Sequence, residues 1–365
     1  MFDLEPGDEL GLLVETVRTF ASEELAPRRR EAERAGSPAR EVRNAYAAIG
    51  LAELELPESL GGAGLGALAR VHVNEELAAA DAGAALALDP LGPGFYALAE
   101  LGGDAALRQW MAPLLAEPGR RGVLVSHSDA ELDAALEVAA DTISGRVPWV
   151  PAGRVDLLVI LDADGVSVLD QGFSCTPLPG SGLRAAGASE LRLDGAPVAA
   201  RFHGPEAAGR ALARARLYAA SLLVGVLRHA CEFSREYALE RRAFGRPIAH
   251  HQALAFLITD MHSAVDGARL LVHEAAWRAD AGLPCQGEAA AAFAEVVEAS
   301  RLVGPAGVQI LGGHGFMQDY PMEKAMRESR ALGLWLGGMD AARQDAGSIL
   351  ARSAVPLALS HGGPV

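Results

Sequence analysis

Along residues 10–20, and again along 71–77, apolar side chains return every third or fourth position, the spacing that collects them on one face of an α-helix. Residues 1 to about 120 therefore read as a helical layer. It is interrupted at Leu56-Pro57-Glu58-Ser59-Leu60-Gly61-Gly62-Ala63-Gly64-Leu65, where proline and glycines punctuate the chain as a loop. From about residue 121 to 204 the rhythm changes. Residues 122–126, 155–161 and 165–169 are short, β-branched and bounded by Gly, Pro and Asp, which predicts strands of a small β domain. Beyond residue 205 the helical period returns over 211–242, 252–281, 288–311 and 321–352, with a break in the last at Gly333 or at Gly337-Gly338. Four such segments predict an antiparallel bundle. The expected architecture is mainly α with a central β domain: residues 1–120, 121–204 and 205–365.

Composition narrows the partners. Of 365 residues, 47 are acidic and 32 basic, a net charge of -15 that repels a nucleic-acid backbone unless basic residues cluster. The run Arg28-Arg29-Arg30 lies in a charged amphipathic stretch and reads as a solvated helix face. Cys175, Cys231 and Cys285 stand far apart, with no metal-ligand spacing, so reduced and mostly buried thiols are expected and no metal site. No stretch reaches the length of apolar chain that crosses a bilayer, and residues 1–5 lack a basic leader region. A cytoplasmic protein without membrane contact is expected.

Gly62-Ala63-Gly64-Leu65-Gly66 approaches a dinucleotide fingerprint, but it lacks the third glycine in register and any strand before it, so a Rossmann site is rejected. Other segments carry more. The first layer holds Gly50-Leu51, the loop at 56–65 and Glu75-Glu76-Leu77-Ala78-Ala79-Ala80-Asp81. The last holds a block from Tyr237 through Arg241, Phe244, Gly245, Pro247 and Gln252, then one from Val308-Gln309 through Gly312-Gly313, Gly315, Phe316, Asp319, Tyr320, Pro321, Glu323 and Arg327.

In this order the segments resemble the signature stretches of the acyl-CoA dehydrogenase family over nearly the whole chain. The resemblance implies an N-terminal helical domain, a central β-barrel-like domain and a C-terminal four-helix bundle. It also implies a role for the last two blocks, in which the bundle of one subunit holds the pyrophosphate and adenosine part of a flavin adenine dinucleotide (FAD) bound mainly by its neighbour. The residues implied are Arg241, Phe244, Gln252, Gln309, Gly312 and Gly313. Their chemistry agrees. Arginine makes bidentate charge-assisted bonds to phosphate, glutamine offers amide donors and acceptors, and paired glycines admit a close ligand. Singly, each reads as a surface ion pair or a helix cap. Jointly they point to a ligand.

The chain departs from the family where the chemistry happens. Removing an α-proton from an acyl thioester needs a positioned carboxylate. The family's usual base, the glutamate of a "YEGT" turn, aligns with Leu336 in Trp335-Leu336-Gly337-Gly338, and the alternative base of some relatives aligns with Ala215 before Arg216. Neither accepts a proton. The strands that face a flavin ring are also altered: Ser126-His127-Ser128-Asp129 stands for a "GSD" loop, and Gly145-Arg146-Val147-Pro148-Trp149-Val150-Pro151 for a "K.WIT" strand, with Pro151 lacking a donor.

This combination resembles the degenerate subunits of heteromeric family members known from actinobacterial steroid side-chain degradation. It implies an α2β2 heterotetramer in lipid and steroid catabolism with FAD shared across the interface. The acyl-CoA substrate would be bound mainly by a catalytic partner, and electrons would leave to an electron-transfer flavoprotein or similar acceptor. Two other readings stand beside it: an autonomous flavoenzyme whose base is relocated to Asp340, one helical turn past Leu336, and a scaffold subunit without flavin.

Overall fold

The computed structural model describes residues 7–126, 136–139 and 141–352. Helix α1 (Asp8–Phe20) runs through a π turn and a 3-10 turn into α2 (Arg29–Ala35), which stops at Gly36 with a left-handed φ of 70°. Helices α3 (Arg40–Ala48), α4 (Ala67–Leu88) and α5 (Gly94–Leu115) complete the first layer, α4 kinked at Asp81 and α5 at Gly103. The glycine loop before α4 serves packing. A Cβ on Gly62 would lie 2.0 Å from the Leu56 carbonyl oxygen, and one on Gly66 would lie 2.3 Å from Asp280. Asp280 occupies that space because it caps α4, accepting from the amides of Ala67 at 2.6 Å and Leu68 at 2.9 Å.

The middle of the chain forms two four-stranded sheets. One has the order β1 (Gly122–Ser126), β4 (Leu157–Leu161), β5 (Gly165–Leu169), β8 (Ala200–His203). The other has β2 (Leu136–Val138), β3 (Thr142–Val150), β7 (Ser189–Pro197), β6 (Phe173–Pro177). Among the described strands of these two sheets, β1 and β4 pair in parallel and the other pairs are antiparallel. Strands β1, β4 and β5 are buried throughout, which explains their unbroken apolar sequence. Successive side chains point to opposite faces. Accordingly Leu124, Leu157, Val159 and Leu161 join the core shared with the helices, while Val123, Val125, Leu158 and Ile160 pack with Ile143, Val147 and Leu191 of the second sheet.

The C-terminal layer contains α6 (Pro205–Glu240), a short hairpin of β9 (Arg242–Ala243) and β10 (Arg246–Pro247), α7 (Gln252–Asp280), α8 (Gln286–Leu311), α9 (Met322–Leu334) and α10 (Gly338–Arg352). Helix α8 lies at its centre, packed on α6, α7, α9 and α10 through fully buried Phe293, Val296 and Val303. Helix α6 starts earlier than the apolar period predicts, because Pro205 fits a first helical turn. The final segment, 321–352, is two helices. Its break falls at the second expected place, where Leu336, Gly337 and Gly338 have φ of 55°, 83° and 63°. Cys231 and Cys285 are buried, Cys175 is half-buried, and all three are free thiols. Among the described residues no helix is long and apolar enough to cross a membrane.

Candidate functional site

Tyr237, in the last turn of α6, shares a hydrogen bond of 2.8 Å between its Oη and Nδ1 of His314, in the turn that follows α8. The His314 ring stacks on Tyr320 at 4.9 Å, and Tyr237 meets Tyr320 edge-on. This aromatic clasp joins the two C-terminal motif blocks at one end of the bundle. Arg241 ends α6 there, Gln252 opens α7, and Gln309, Gly312 and Gly313 close α8.

All six of the expected ligand-facing residues are exposed. Among the described residues no carboxylate lies within ion-pairing distance of Arg241, so the surface ion pair that would give it a purely structural role is not made. Phe244 and Gly245 form the tip of the hairpin with φ of 53° and 80°, both in the left-handed region that a two-residue hairpin of this twist requires. A phenylalanine is strained there, and its ring is 94% exposed. Edge-on contact with His251 at 5.9 Å steadies it, and His251 in turn bonds the Ala243 carbonyl. Gly312 caps α8 with a φ of 58° that favours glycine. Gly313 has no such backbone demand, and a Cβ there would meet nothing within 4 Å. The chain's own packing gives no reason for a second glycine. This open end of the bundle, with an arginine and two amide side chains on it, could hold a phosphate-bearing ligand.

The two positions at which the resemblance places a proton acceptor are sealed. Leu336 and Ala215 both have 0% exposure and belong to the helical core. Arg216, also buried, pairs with Asp345 at 2.7 Å. Asp340 is exposed in the first turn of α10, where an acid complements the helix dipole. On the flavin-ring side, Pro148 and Trp149 occupy a bulge in β3, Trp149 packs half-buried on the helical core, and Pro151 is buried. Ser126 ends β1, and His127, Ser128 and Asp129 lie outside the described residues.

Sequence reasoning missed the partners of the acidic motif on α4. Glu75 is buried and accepts from Arg269 at 2.8 Å and His273 at 2.7 Å on α7. Burial alone would raise its pKa, but those two bonds outweigh it and hold the carboxyl low. Glu76 pairs with Arg18 of α1 and Arg228 of α6. Asp81 pairs with buried Lys324 of α9, which also bonds Glu328. Burial pushes Glu328 up to about 7 despite that lysine. His72, Glu75 and His273 approach one another closely enough to hold a metal ion. However, the Glu75 oxygens are already committed to Arg269 and His273, and the cluster reads as a clasp between helices.

Residues 7–118 match the N-terminal domain of acyl-CoA dehydrogenases, and residues 203–350 match the C-terminal domain. Cyclohex-1-ene-1-carbonyl-CoA dehydrogenase of Syntrophus aciditrophicus is 30% identical over 90% of this chain and 87% of its own length. Butyryl-CoA dehydrogenase of Megasphaera elsdenii superposes with a TM-score of 0.85 at 23% identity, over 96% of this chain and 100% of that one. A chain of the ChsE4-ChsE5 complex of Mycobacterium tuberculosis superposes with a TM-score of 0.84 at 26% identity, over 97% and 100%.

Proposed function

The chain belongs to the acyl-CoA dehydrogenase family, and from that premise we propose that it is the non-catalytic subunit of an α2β2 heterotetramer, completing the FAD site of a catalytic partner. The observation that carries this reading is an opposition within one chain. The end of the bundle is exposed and its arginine has no carboxylate partner among the described residues, while both places for a proton acceptor are buried and apolar.

When bound, FAD supplies the acceptor for the β-hydrogen of an acyl-CoA thioester. This chain's part is to bind and position. Arg241 donates to pyrophosphate oxygens, Gln252 and Gln309 give amide hydrogen bonds, Phe244 covers apolar surface of the nucleotide, and Gly312-Gly313 leaves room for close approach. The partner provides the carboxylate, binds the acyl-CoA and passes electrons to an electron-transfer flavoprotein. Similarity to a complex of two differently named chains supports the heteromer. Steroid side-chain thioesters are the substrate class this reading favours, in the cytoplasm, with domains at 1–120, 121–204 and 205–365.

Co-expression with a family member that keeps the glutamate tests it. A yellow complex is expected, and Arg241→Ala in this chain should weaken flavin binding about ten- to a hundredfold, the worth of a charge-assisted hydrogen bond. An unchanged flavin affinity would favour a scaffold. Purification of the chain alone as an active homo-oligomer with one flavin per subunit would sink the proposal.

A further inference from the structure

A groove of about 790 Å³ opens where α2 and α3 meet the β layer, far along the chain from the end of the bundle. Its charge is one-sided. Arg34, Arg43, Arg121, Arg154 and Arg184 line it, against Glu33 alone. Glu33 is already shared between Arg30 at 2.6 Å and Arg327 at 3.0 Å, and Asp156 answers Arg154 at 2.6 Å. The other four arginines have no carboxylate within ion-pairing distance among the described residues. Arg34, Arg43 and Arg184 donate to the carbonyls of Arg30, Pro38 and Gly180, which leaves their charge unbalanced.

Arg121 is the most demanding of the four. It is only 8% exposed, and its Nε has no hydrogen-bond partner. Burial pushes its guanidinium down from the usual range. Asp89 attracts it only from beyond ion-pairing distance and does not outweigh the burial, so an anion in the groove would offset the remaining desolvation cost. The walls are already set. Leu183 is fully buried with a left-handed φ of 53°, a strained conformation that fixes Arg184 at the rim. Opposite it, Gly187 approaches Gly153 so closely that a Cβ would fall 2.6 Å from the Gly153 nitrogen. A preformed cationic cleft on a protein of net charge -15 is a local exception that selects for negative ligands.

We propose that this groove binds a phosphate-bearing anion of nucleotide size, recognised by Arg43, Arg121 and Arg184. The volume lies within the range of small-molecule sites, and the alanine and proline side chains between the arginines give an organic group an apolar floor. A free diphosphate offers the same charge without that apolar part.

Calorimetric titration of the full chain, in the form in which it purifies, with ADP and separately with inorganic pyrophosphate tests the assignment. At least one probe should bind saturably, more weakly at high salt. The double variant Arg43→Ala/Arg184→Ala, both outside the core, should weaken it at least about tenfold. ADP binding tighter than pyrophosphate would identify a nucleotide, and equal binding a free phosphate. The same titration in the Arg241→Ala background, which removes the phosphate contact at the end of the bundle, should retain the component that the double variant loses. The assignment is overturned by absence of saturable binding to the folded chain, by binding that the double variant leaves intact, or by binding lost only with Arg241→Ala, which would move the anion to the end of the bundle. The last outcome would leave the flavin proposal standing.

Discussion

Acidification should destabilise this protein through His72. The side chain is 8% exposed on α4, with its ring 4.6 Å from His273 in an edge-on contact. Burial, then the neighbouring His273, lowers its pKa from 6.5 to about 4, and Arg269 acts in the same direction. Glu75 and Glu76 oppose the shift, but Glu75 is committed to Arg269 and His273 and Glu76 to Arg18 and Arg228. The folded state therefore holds His72 neutral, while the unfolded chain takes up its proton near pH 6.5. The stabilisation is complete above that pH and is lost as pH falls toward about 4. At about 1.4 kcal/mol per pH unit the loss reaches roughly 2 kcal/mol by about pH 5 and about 3 kcal/mol below about pH 4. Urea unfolding followed by circular dichroism at a series of pH values measures it. His72→Leu, which keeps the apolar packing and removes the proton site, should flatten the wild-type slope between about pH 6.5 and 4 by that amount. Parallel stability curves for the two proteins would refute the reasoning.

Lys324→Met should cost about 3–5 kcal/mol in the same urea assay, because it leaves Asp81 and Glu328 buried without their cation. A loss under about 1 kcal/mol would mean that the buried triad contributes nothing net. Asp280→Ala removes the acceptor for two amides at the start of α4 and should cost about 1–2 kcal/mol, with Asp280→Asn recovering part of it. Leu336→Glu should lower the melting temperature and give the isolated chain no dehydrogenase activity in a dye-reduction assay, since the new carboxylate would be buried unpaired. A stable, active variant would show that the position still faces a competent site.

The elements that the sequence made legible are those whose cause is local. Strands β1 and β5 coincide with the apolar runs at 122–126 and 165–169, and the bundle helices follow their period closely. Pairing was not legible. The parallel partnership of β1 with β4 passes over two strands of the other sheet, and nothing in either run encodes the choice. The same division holds at the site. Arg241, Phe244, Gln252 and Gln309 stood out because they fall within motif blocks, and the fold brings those blocks to one end of the bundle through Tyr237, His314 and Tyr320. Glu75 stood in the sequence only as part of the motif at 75–81, and only the arrival of His273, 198 residues away, shows it as a buried clasp. Such a partner leaves no trace in the helix that carries the acid.

Two non-glycine residues with left-handed backbone sit at the places where the family's resemblance matters most, and their surroundings differ. Phe244 is held in strain at an exposed hairpin tip, where the chain's own packing gains little from the ring. Strain kept without an internal return points to a contact outside the chain. Leu336 is strained inside the core, between helices α9 and α10, in a turn that also touches β1. The backbone reversal there is needed to end one helix and start the next, whatever side chain the turn carries. Replacing a carboxylate by leucine at such a position therefore removes proton chemistry without removing the turn, and it exchanges a group that must be solvated or paired for one that packs. On the proposed reading, loss of the base and retention of the fold are then compatible.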